Sequence, residues 1–95
     1  MDHLYFVCYD IRCDRRWRRL FKKMKGYGEW VQLSVFQCRL DKMRLLTLED
    51  EIREIINLKE DHVIIMDIGP ADGIKPRIKS LGGSFEAIEK KAVII

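Results

Sequence analysis

The chain has 95 residues, of which 47% are hydrophobic and 35% are charged, and its formal net charge is +3. A chain of this length forms one domain and buries only about 60 to 65% of its unfolded surface, so its core is small. It contains no apolar run of the roughly 20 residues that cross a bilayer, and no basic N-terminal region followed by a long apolar core. The composition therefore excludes a disordered or membrane-spanning chain and predicts a folded protein of the cytoplasm.

A strand is predicted over residues 4–9, which are an unbroken run of apolar and aromatic side chains. Side chains of a strand alternate between its two faces, and both alternating sets are apolar here. Both faces of this strand are therefore predicted to be buried. Asp10 follows the run directly. The strand is expected to deliver this carboxylate to its own end, beside the basic segment that comes next.

A basic amphipathic helix is predicted over residues 14–25, with Asp14 as its N-cap. Its apolar residues recur at i, i+3, i+4 and i+7, which places them in one stripe that faces the core. The members of this stripe are Trp17, Leu20, Phe21 and Met24. Every other position from 15 to 25 is Arg or Lys, and residues 1–27 hold eight such cations against three Asp. This basic face points to a polyanionic partner.

The simpler alternative is a solvated helix whose charges only keep the protein soluble. Like charges at i, i+4 destabilise a helix, so a face with almost no interleaved acid is unusual for that role. The helix and the turn before it are therefore expected to contact phosphates in a sequence-independent, salt-dependent way. The residues predicted to bind nucleic acid are Arg12, Arg15, Arg16, Arg18, Arg19, Lys22 and Lys23.

The remaining strands are predicted from short runs of β-branched and apolar residues. Residues 30–40 are long for one straight strand, so a kink or a short hairpin is expected near residues 32–34. Residues 62–66 form another strand that is apolar on both faces. A weak strand at 77–81 and a terminal strand at 92–95 complete the set.

A second helix is predicted between residues 41 and 57. Its cap is either Asp41 or Thr47, the latter with Asp50 in a capping-box spacing. The apolar stripe of this helix contains Leu45, Leu48, Ile52, Ile55 and Ile56. The Gly- and Pro-containing residues 69–73 are predicted to be a loop.

The order β-α-β(β)-α-β predicts a ferredoxin-like α+β sandwich, with two helices on one face of an antiparallel sheet and extra C-terminal strands. The second face of such a sheet is normally open to water, but residues 4–9 and 63–66 are apolar on both sides. No spare helix is predicted that could cover it. A sheet-to-sheet homodimer is therefore expected, with the strand at 92–95 added to the partner's sheet.

The cysteines and histidines do not form a recognisable metal motif. None of the three cysteines stands in a CxxC or Cys/His spacing typical of zinc. Cys8 and Cys38 fall in predicted strands and are interpreted as small buried apolar residues. His3 and His62 stand at the starts of two strands, far apart in the chain, and are interpreted as incidental.

Several of these features together resemble the CRISPR-associated Cas2 family. Tyr9-Asp10-Ile11 ends the first strand, a basic helix follows, and Gln32-Leu33-Ser34-Val35-Phe36 lies in the second strand region, before a short apolar tail. The resemblance covers nearly the whole chain. It implies a ferredoxin-like homodimer that works with the CRISPR integrase Cas1 in capturing new spacers. Many members of the family were described as metal-dependent endonucleases acting on single-stranded RNA or double-stranded DNA.

The resemblance also implies roles for individual residues. Asp10 matches the position that holds Mg²⁺ or Mn²⁺ between the two protomers, and Asp10 and Tyr9 match the catalytic motif. Ser34 and Phe36 match a second motif near the dimer centre. Many members carry Glu-Gly after Ser-Val-Phe, whereas this chain has Gln-Cys at 37–38. A second carboxylate is therefore missing from that position.

Two hypotheses of function follow from different classes. In the first, the dimer is a phosphodiesterase in which two Asp10 carboxylates hold the metal, since Mg²⁺ uses one or two carboxylates with waters and substrate phosphate. In the second, the dimer is a non-catalytic basic scaffold that holds DNA for the integrase, and Asp10 only caps the turn or pairs with Arg12 or Arg16. A ferredoxin-like RNA-binding or ligand-sensing module is disfavoured, because the aromatic residues lie in segments predicted to be buried.

Overall fold

The computed structural model describes residues 1–82. Its elements follow the predicted order, and all strand pairs are antiparallel in one sheet of order β2-β3-β1-β4. The elements are β1 (His3–Asp10), α1 (Asp14–Met24), β2 (Gly28–Gln32), β3 (Val35–Leu40), α2 (Lys42–Ile55) and β4 (His62–Pro70). The predicted ferredoxin-like α+β fold is thereby confirmed.

The core lies between the sheet and the two helices. Tyr5, Val7 and Tyr9 of β1 belong to this core, since alternate strand residues share a face. Phe36 lies opposite Val7 on β3 and is fully buried, as is Leu48 of α2. The centre of β1 is therefore packed on its helix side by residues from both its neighbouring strand and the helix layer.

The apolar stripes predicted for both helices are confirmed, whereas two of the three candidate caps, Thr47 and Asp14, are wrong. In α2 the Asp41 carboxylate accepts a hydrogen bond from the backbone N of Arg44 at 2.8 Å, so Asp41 is the N-cap. Thr47 lies inside the helix and donates to the carbonyl of Met43 instead. Asp14, predicted as the cap of α1, is its first helical residue, where a carboxylate favours the positive end of the helix dipole.

The segment predicted to bend at residues 32–34 forms a hairpin. Strands β2 and β3 pair with a register shift between Trp30 and Gln32. Leu33 then adopts a positive φ of 25°, an uncommon conformation for a residue with a side chain. The hairpin turn therefore lies at Leu33 and Ser34, next to the end of β1, where the backbone N of Tyr9 donates to the carbonyl of Ser34 at 3.0 Å.

The other face of the sheet is only partly covered within one chain. Residues 71–76 return along the start of β1, where Leu4 is 6% exposed. Nearer the end of β1 the apolar side chains are less covered, and Ile64 and Met66 of β4 are 47% and 42% exposed. The prediction that both faces of these strands are buried is thus met on the helix side only. The open sheet face comprises Phe6, Cys8, Val35, Ile64 and Met66, which lie opposite one another in the ladders.

The prediction of a weak strand at residues 77–81 is wrong. These residues lie outside the helices and strands, and all five are exposed. Charged residues alternate there with isolated apolar ones, so the segment has little to bury against a neighbouring strand. The strand predicted at 92–95 lies outside the described residues. Neither helix of residues 1–82 is long and apolar enough to cross a membrane.

Candidate metal position and nucleic-acid interface

Asp10 lies at the end of β1, where the chain leaves the sheet. Its side chain is 64% exposed and contacts the guanidinium of Arg12 at 3.3 Å, and Arg12 is itself 65% exposed. An ion pair this exposed contributes at most about 1 kcal/mol. The structural pairing considered from the sequence is thus present, but it leaves the Asp10 carboxylate accessible to a ligand.

A recess of about 490 Å³ opens beside Asp10, between the end of β1, the first turns of α1 and the hairpin turn. Its lining includes Asp10, Asp14, Arg18 and Ser34. Sequence reasoning gave Asp14 only a capping role and missed its place here. The available signal was the short Asp-x-x-x-Asp spacing across a strand-to-helix turn. The recess combines two carboxylates with a guanidinium.

Asp10 also borders a second recess, of about 300 Å³, that includes part of the open sheet face. His62 and the apolar residues Cys8 and Ile64 line it. His62 is the direct partner of Asp10 in the β1–β4 ladder. Sequence reasoning interpreted His62 as incidental, because it stands far from His3 in the chain. Only the sheet register places His62 opposite Asp10.

Tyr9, the other predicted catalytic residue, lies in the core. Its ring packs against Trp17 and Phe36, with centroid distances of 6.4 and 6.3 Å, and the residue is 5% exposed. Its hydroxyl has no hydrogen-bond partner among the described residues, and burial raises the pKa of this phenol above its ordinary value. Tyr9 also lines the recess beside Asp10, and its catalytic role stays a prediction.

The two residues of the second motif have structural contacts. The hydroxyl of Ser34 accepts a hydrogen bond from the indole Nε1 of Trp17 at 2.9 Å, which ties the hairpin turn to α1. Phe36 is fully buried and packs against Phe21 at a centroid distance of 5.6 Å. Because Phe36 faces the helices, it is absent from the open sheet face. Its place relative to a dimer centre stays a prediction, whereas Ser34 lines the recess beside Asp10.

Arg16, predicted to bind nucleic acid, is bound inside the protein. Its Nε donates to Asp61 at 2.7 Å and its Nη2 donates to Asp61 and Glu60 at 3.2 and 3.1 Å. The Asp61 side chain is fully buried and also accepts from the backbone N of Arg12 and of Asn57 at 2.9 and 2.8 Å. The bond from Arg16, followed by these backbone bonds, holds the pKa of Asp61 well below its usual range. We call this arrangement the Asp61 clip.

The remaining cations of α1 divide into paired and unpaired groups. Lys23 contacts Glu51 of α2 at 2.8 Å. The others recur at i, i+3, i+4 and i+7, are exposed, and make no salt bridge within residues 1–82. They form the basic stripe, which consists of Arg15, Arg18, Arg19 and Lys22. The charge pattern alone could not distinguish this stripe from the paired cations beside it.

The described residues offer few side-chain ligands for a metal ion. No three His, Cys, Asp or Glu side chains of residues 1–82 converge as a metal cluster. Mg²⁺ is often held by one or two carboxylates together with waters and substrate phosphates, and Asp10 offers an accessible carboxylate of this kind. The donor set is therefore compatible with a metal that a substrate or a second copy helps to hold.

The fold and this surface define a small ferredoxin-like α+β protein with an accessible carboxylate beside an unpaired basic stripe. A family model, CRISPR associated protein Cas2, matches residues 3–72. The chain belongs to the Cas2 family, as its resemblance in sequence predicted.

Individual relatives agree with this assignment. The chain is 58% identical to the CRISPR-associated endoribonuclease Cas2 of Geobacter sulfurreducens over 95 residues, which cover 100% of both chains. It is 49% identical to the CRISPR-associated endoribonuclease Cas2 1 of Rhodospirillum rubrum, over 99% of this chain and 92% of the relative. A crystal structure of Streptococcus pyogenes Cas2 at pH 6.5 matches with a TM-score of 0.73 at 26% identity, over 83% of this chain and 99% of that one.

The Asp61 clip generates a prediction about stability. Replacing Asp61→Asn leaves the Arg16 guanidinium without its buried counter-charge, and breaking a buried ion pair costs about 3 kcal/mol or more. Urea unfolding at pH 7 should show this loss. The control Asp50→Asn removes a 78% exposed carboxylate that pairs with Arg53 and should change the free energy of unfolding by less than about 0.5 kcal/mol.

The difference in stability between wild type and Asp61→Asn should also depend on pH. The pKa of Asp61 is lowered by folding, so its ionised form stabilises the protein above the ordinary Asp pKa of about 4, and this contribution is lost as the pH falls. The difference between wild type and Asp61→Asn should therefore be full at pH 7 and shrink below about pH 4. A difference that stays constant across that range would show that Asp61 is not an ionised anchor.

Proposed function

We propose that this protein is a subunit of CRISPR adaptation that binds nucleic acid together with the CRISPR integrase and hydrolyses phosphodiester bonds with a bound metal. The observation that carries the proposal is the recess in which Asp10, Asp14 and Arg18 meet, directly beside the basic stripe. Carboxylates next to unpaired cations suit the binding and hydrolysis of a phosphate backbone. The names of the relatives as endoribonucleases support the same activity.

In this proposal Asp10 holds Mg²⁺ or Mn²⁺, and Asp14 is available as a second carboxylate at the same recess. When bound, the ion supplies Lewis-acid polarisation of the phosphodiester and a water of lowered pKa. Arg18 lines the recess and binds a non-bridging phosphate oxygen there. Arg12 exchanges its weak contact with Asp10 for the substrate phosphate, because its exposed ion pair costs little to break.

Apart from Arg18 at the recess, the basic stripe binds the nucleic-acid backbone away from the reacting phosphate. Its four members are exposed and free of salt bridges within residues 1–82, so they pay no penalty for leaving an internal partner. Arg16 is held away from this role by the buried Asp61, whereas Lys23 is 41% exposed and would leave Glu51 to contact a phosphate. This surface reads phosphates and not bases, and it serves single-stranded RNA or duplex DNA.

The open sheet face supports a homodimer. Ile64 and Met66 are nearly half exposed in the single chain, and they adjoin the half-buried Phe6 and Cys8. A second copy packed on this face would remove these side chains from water. Asp10 follows Phe6 and Cys8 on the same side of β1, so the second copy would also bring its own carboxylate towards the metal position.

A non-catalytic scaffold is the second candidate, and one observation favours it. The described residues do not assemble three metal-binding side chains at any point, so each chain offers few protein ligands for a catalytic ion. In that case the basic stripe and the dimer would hold DNA for the integrase, and Asp10 would only pair with Arg12. The two candidates share nucleic-acid binding and differ in whether the protein cuts.

The first test of the proposal is cleavage by the purified dimer. Wild type is expected to cut labelled single-stranded RNA or duplex DNA with Mg²⁺ or Mn²⁺ and not with EDTA. Asp10→Asn should slow cleavage by about a hundredfold or more, the usual cost of losing a group that stabilises developing charge. Asp14→Asn is compared to show whether the second carboxylate contributes, and Asp50→Asn is the matched surface control.

The interpretation requires that every variant remain a dimer and still bind nucleic acid. Activity that disappears in Asp10→Asn under those conditions identifies a catalytic metal site. If wild type does not cut, or Asp10→Asn cuts as fast as wild type, the scaffold is the correct description and Asp10 is structural.

The second test concerns the basic stripe. The double variant Arg15→Gln/Arg19→Gln removes two phosphate contacts, so the slope of log affinity against log salt for duplex DNA should fall by about 2, at roughly 0.9 per contact. The control Lys42→Gln/Lys59→Gln makes the same change in net charge at exposed positions outside the stripe and should leave the slope nearly unchanged. Equal slopes for the two double variants would refute the assignment of the stripe.

The third test concerns the open sheet face. Met66→Lys would place an unpaired ammonium in the proposed interface, which costs several kcal/mol and weakens association by about a hundredfold or more. Light scattering should then report a monomer. Met43→Lys, at a 73% exposed methionine on α2, should remain a dimer. A Met66→Lys protein that stays dimeric would place the interface elsewhere.

A further inference from the structure

His62, the cross-strand partner of Asp10, has no role in the function proposed above. The two residues are the last partners of the β1–β4 ladder, and both are exposed. Residues directly opposite each other in an antiparallel ladder project to the same face, with Cβ atoms about 4.5 to 5.5 Å apart. Both border the recess of about 300 Å³ whose other walls include the apolar Cys8, Val35 and Ile64. A carboxylate and an imidazole therefore line the same partly apolar recess.

The relative position of the two residues is fixed by buried contacts. Asp61 precedes His62, and its carboxylate accepts from the backbone N of Arg12, two residues after Asp10. The side chain of Arg16 closes the same arrangement at 2.7 Å. Because Asp61 is fully buried, the end of β1 and the start of β4 are tied together without relying on an exposed side chain. The backbone that carries the two residues is thus held by buried contacts.

We propose that His62 is a second protein ligand of the metal at Asp10, and that it sets the preference of this site for Mn²⁺ over Mg²⁺. This inference rests on the proposed function for the Asp10 ligand. It places the ion on the sheet side of Asp10, in the recess that His62 lines, and not in the recess that Asp14 lines. An imidazole nitrogen suits transition metals, whereas Mg²⁺ takes oxygen ligands almost exclusively. One chain then supplies one oxygen and one nitrogen donor, and water, substrate phosphate and the second copy supply the remaining positions.

The chain offers a matched control for this proposal. His3 is the only other histidine in the sequence. It lies at the opposite end of β1, where its Nδ1 is 2.9 Å from a carboxylate oxygen of Asp67. The variants His62→Gln and His3→Gln therefore remove the same chemical group from opposite ends of the β1–β4 ladder. Both positions are at least partly exposed, so both variants are expected to fold.

The experiment is a titration of the full-length dimer with Mn²⁺ and separately with Mg²⁺, without nucleic acid. Free Mn²⁺ is measured by electron paramagnetic resonance, and Mg²⁺ by calorimetry. His62→Gln should weaken Mn²⁺ binding by about tenfold or more, the loss seen even when a group that only supports a ligand is removed. Its affinity for Mg²⁺ should change less than about twofold, since an oxygen-seeking ion gains little from the imidazole. Pulsed resonance on the Mn²⁺-loaded wild type should show coupling to a directly bound nitrogen, which disappears in His62→Gln and persists in His3→Gln.

The outcomes separate this inference from the proposed function. Mn²⁺ binding that Asp10→Asn abolishes but His62→Gln leaves unchanged overturns the role of His62 and retains the metal position. Binding that neither variant affects overturns both. Weakened Mn²⁺ binding and a lost nitrogen coupling in His62→Gln support the inference even if the wild type cuts no nucleic acid, because neither measurement depends on cleavage.

Discussion

The buried carboxylate of Asp61 is the interaction on which the functional end of this molecule depends. It accepts hydrogen bonds from the guanidinium of Arg16 and from two backbone amides, those of Arg12 and Asn57. These donors belong to the β1–α1 connection, to α1 and to the end of α2, so one carboxylate joins three parts of the chain. A buried charge is tolerable only when it is paired and hydrogen-bonded, and this one is satisfied on both counts. Asp10, Arg12 and the start of β4 owe their relative positions to it.

The same interaction changes how the basic helix is interpreted. Counting charges makes every Arg and Lys of α1 a candidate for phosphate binding, yet Arg16 neutralises Asp61 and Lys23 contacts Glu51. Using those two cations for a ligand would leave acidic partners behind. The basic stripe carries no such penalty, because its side chains are exposed and unpaired within the described part of the chain. Internal pairing thus separates the cations that hold the fold together from those that remain for a partner.

Local patterns were sufficient to predict most of the fold. The period of 3.6 in both helices, the overlong segment that became the hairpin, and the Asp41 cap all depend on residues near one another in the chain. The predictions failed where a side chain's environment depends on residues far away in the sequence. Both alternating sets of β1 are apolar, so the sequence did not reveal that Tyr9 faces the helices and Asp10 the other side. The partners of Asp61 and the neighbour of Asp10 on β4 are likewise invisible before the sheet register is known.

Asp10 lies on the same side of the sheet as the apolar face that a second copy would cover. Strand parity places Asp10 on the same side of β1 as Phe6 and Cys8, and Met66 and Ile64 oppose those two residues on β4. Any partner that covers this apolar area must approach the end of β1, where the carboxylate is 64% exposed. Under the proposed function, each copy would supply only part of the coordination sphere of a shared ion. A scaffold would have no need for an accessible carboxylate at that edge, where an apolar or cationic residue would favour dimerisation or DNA binding more directly.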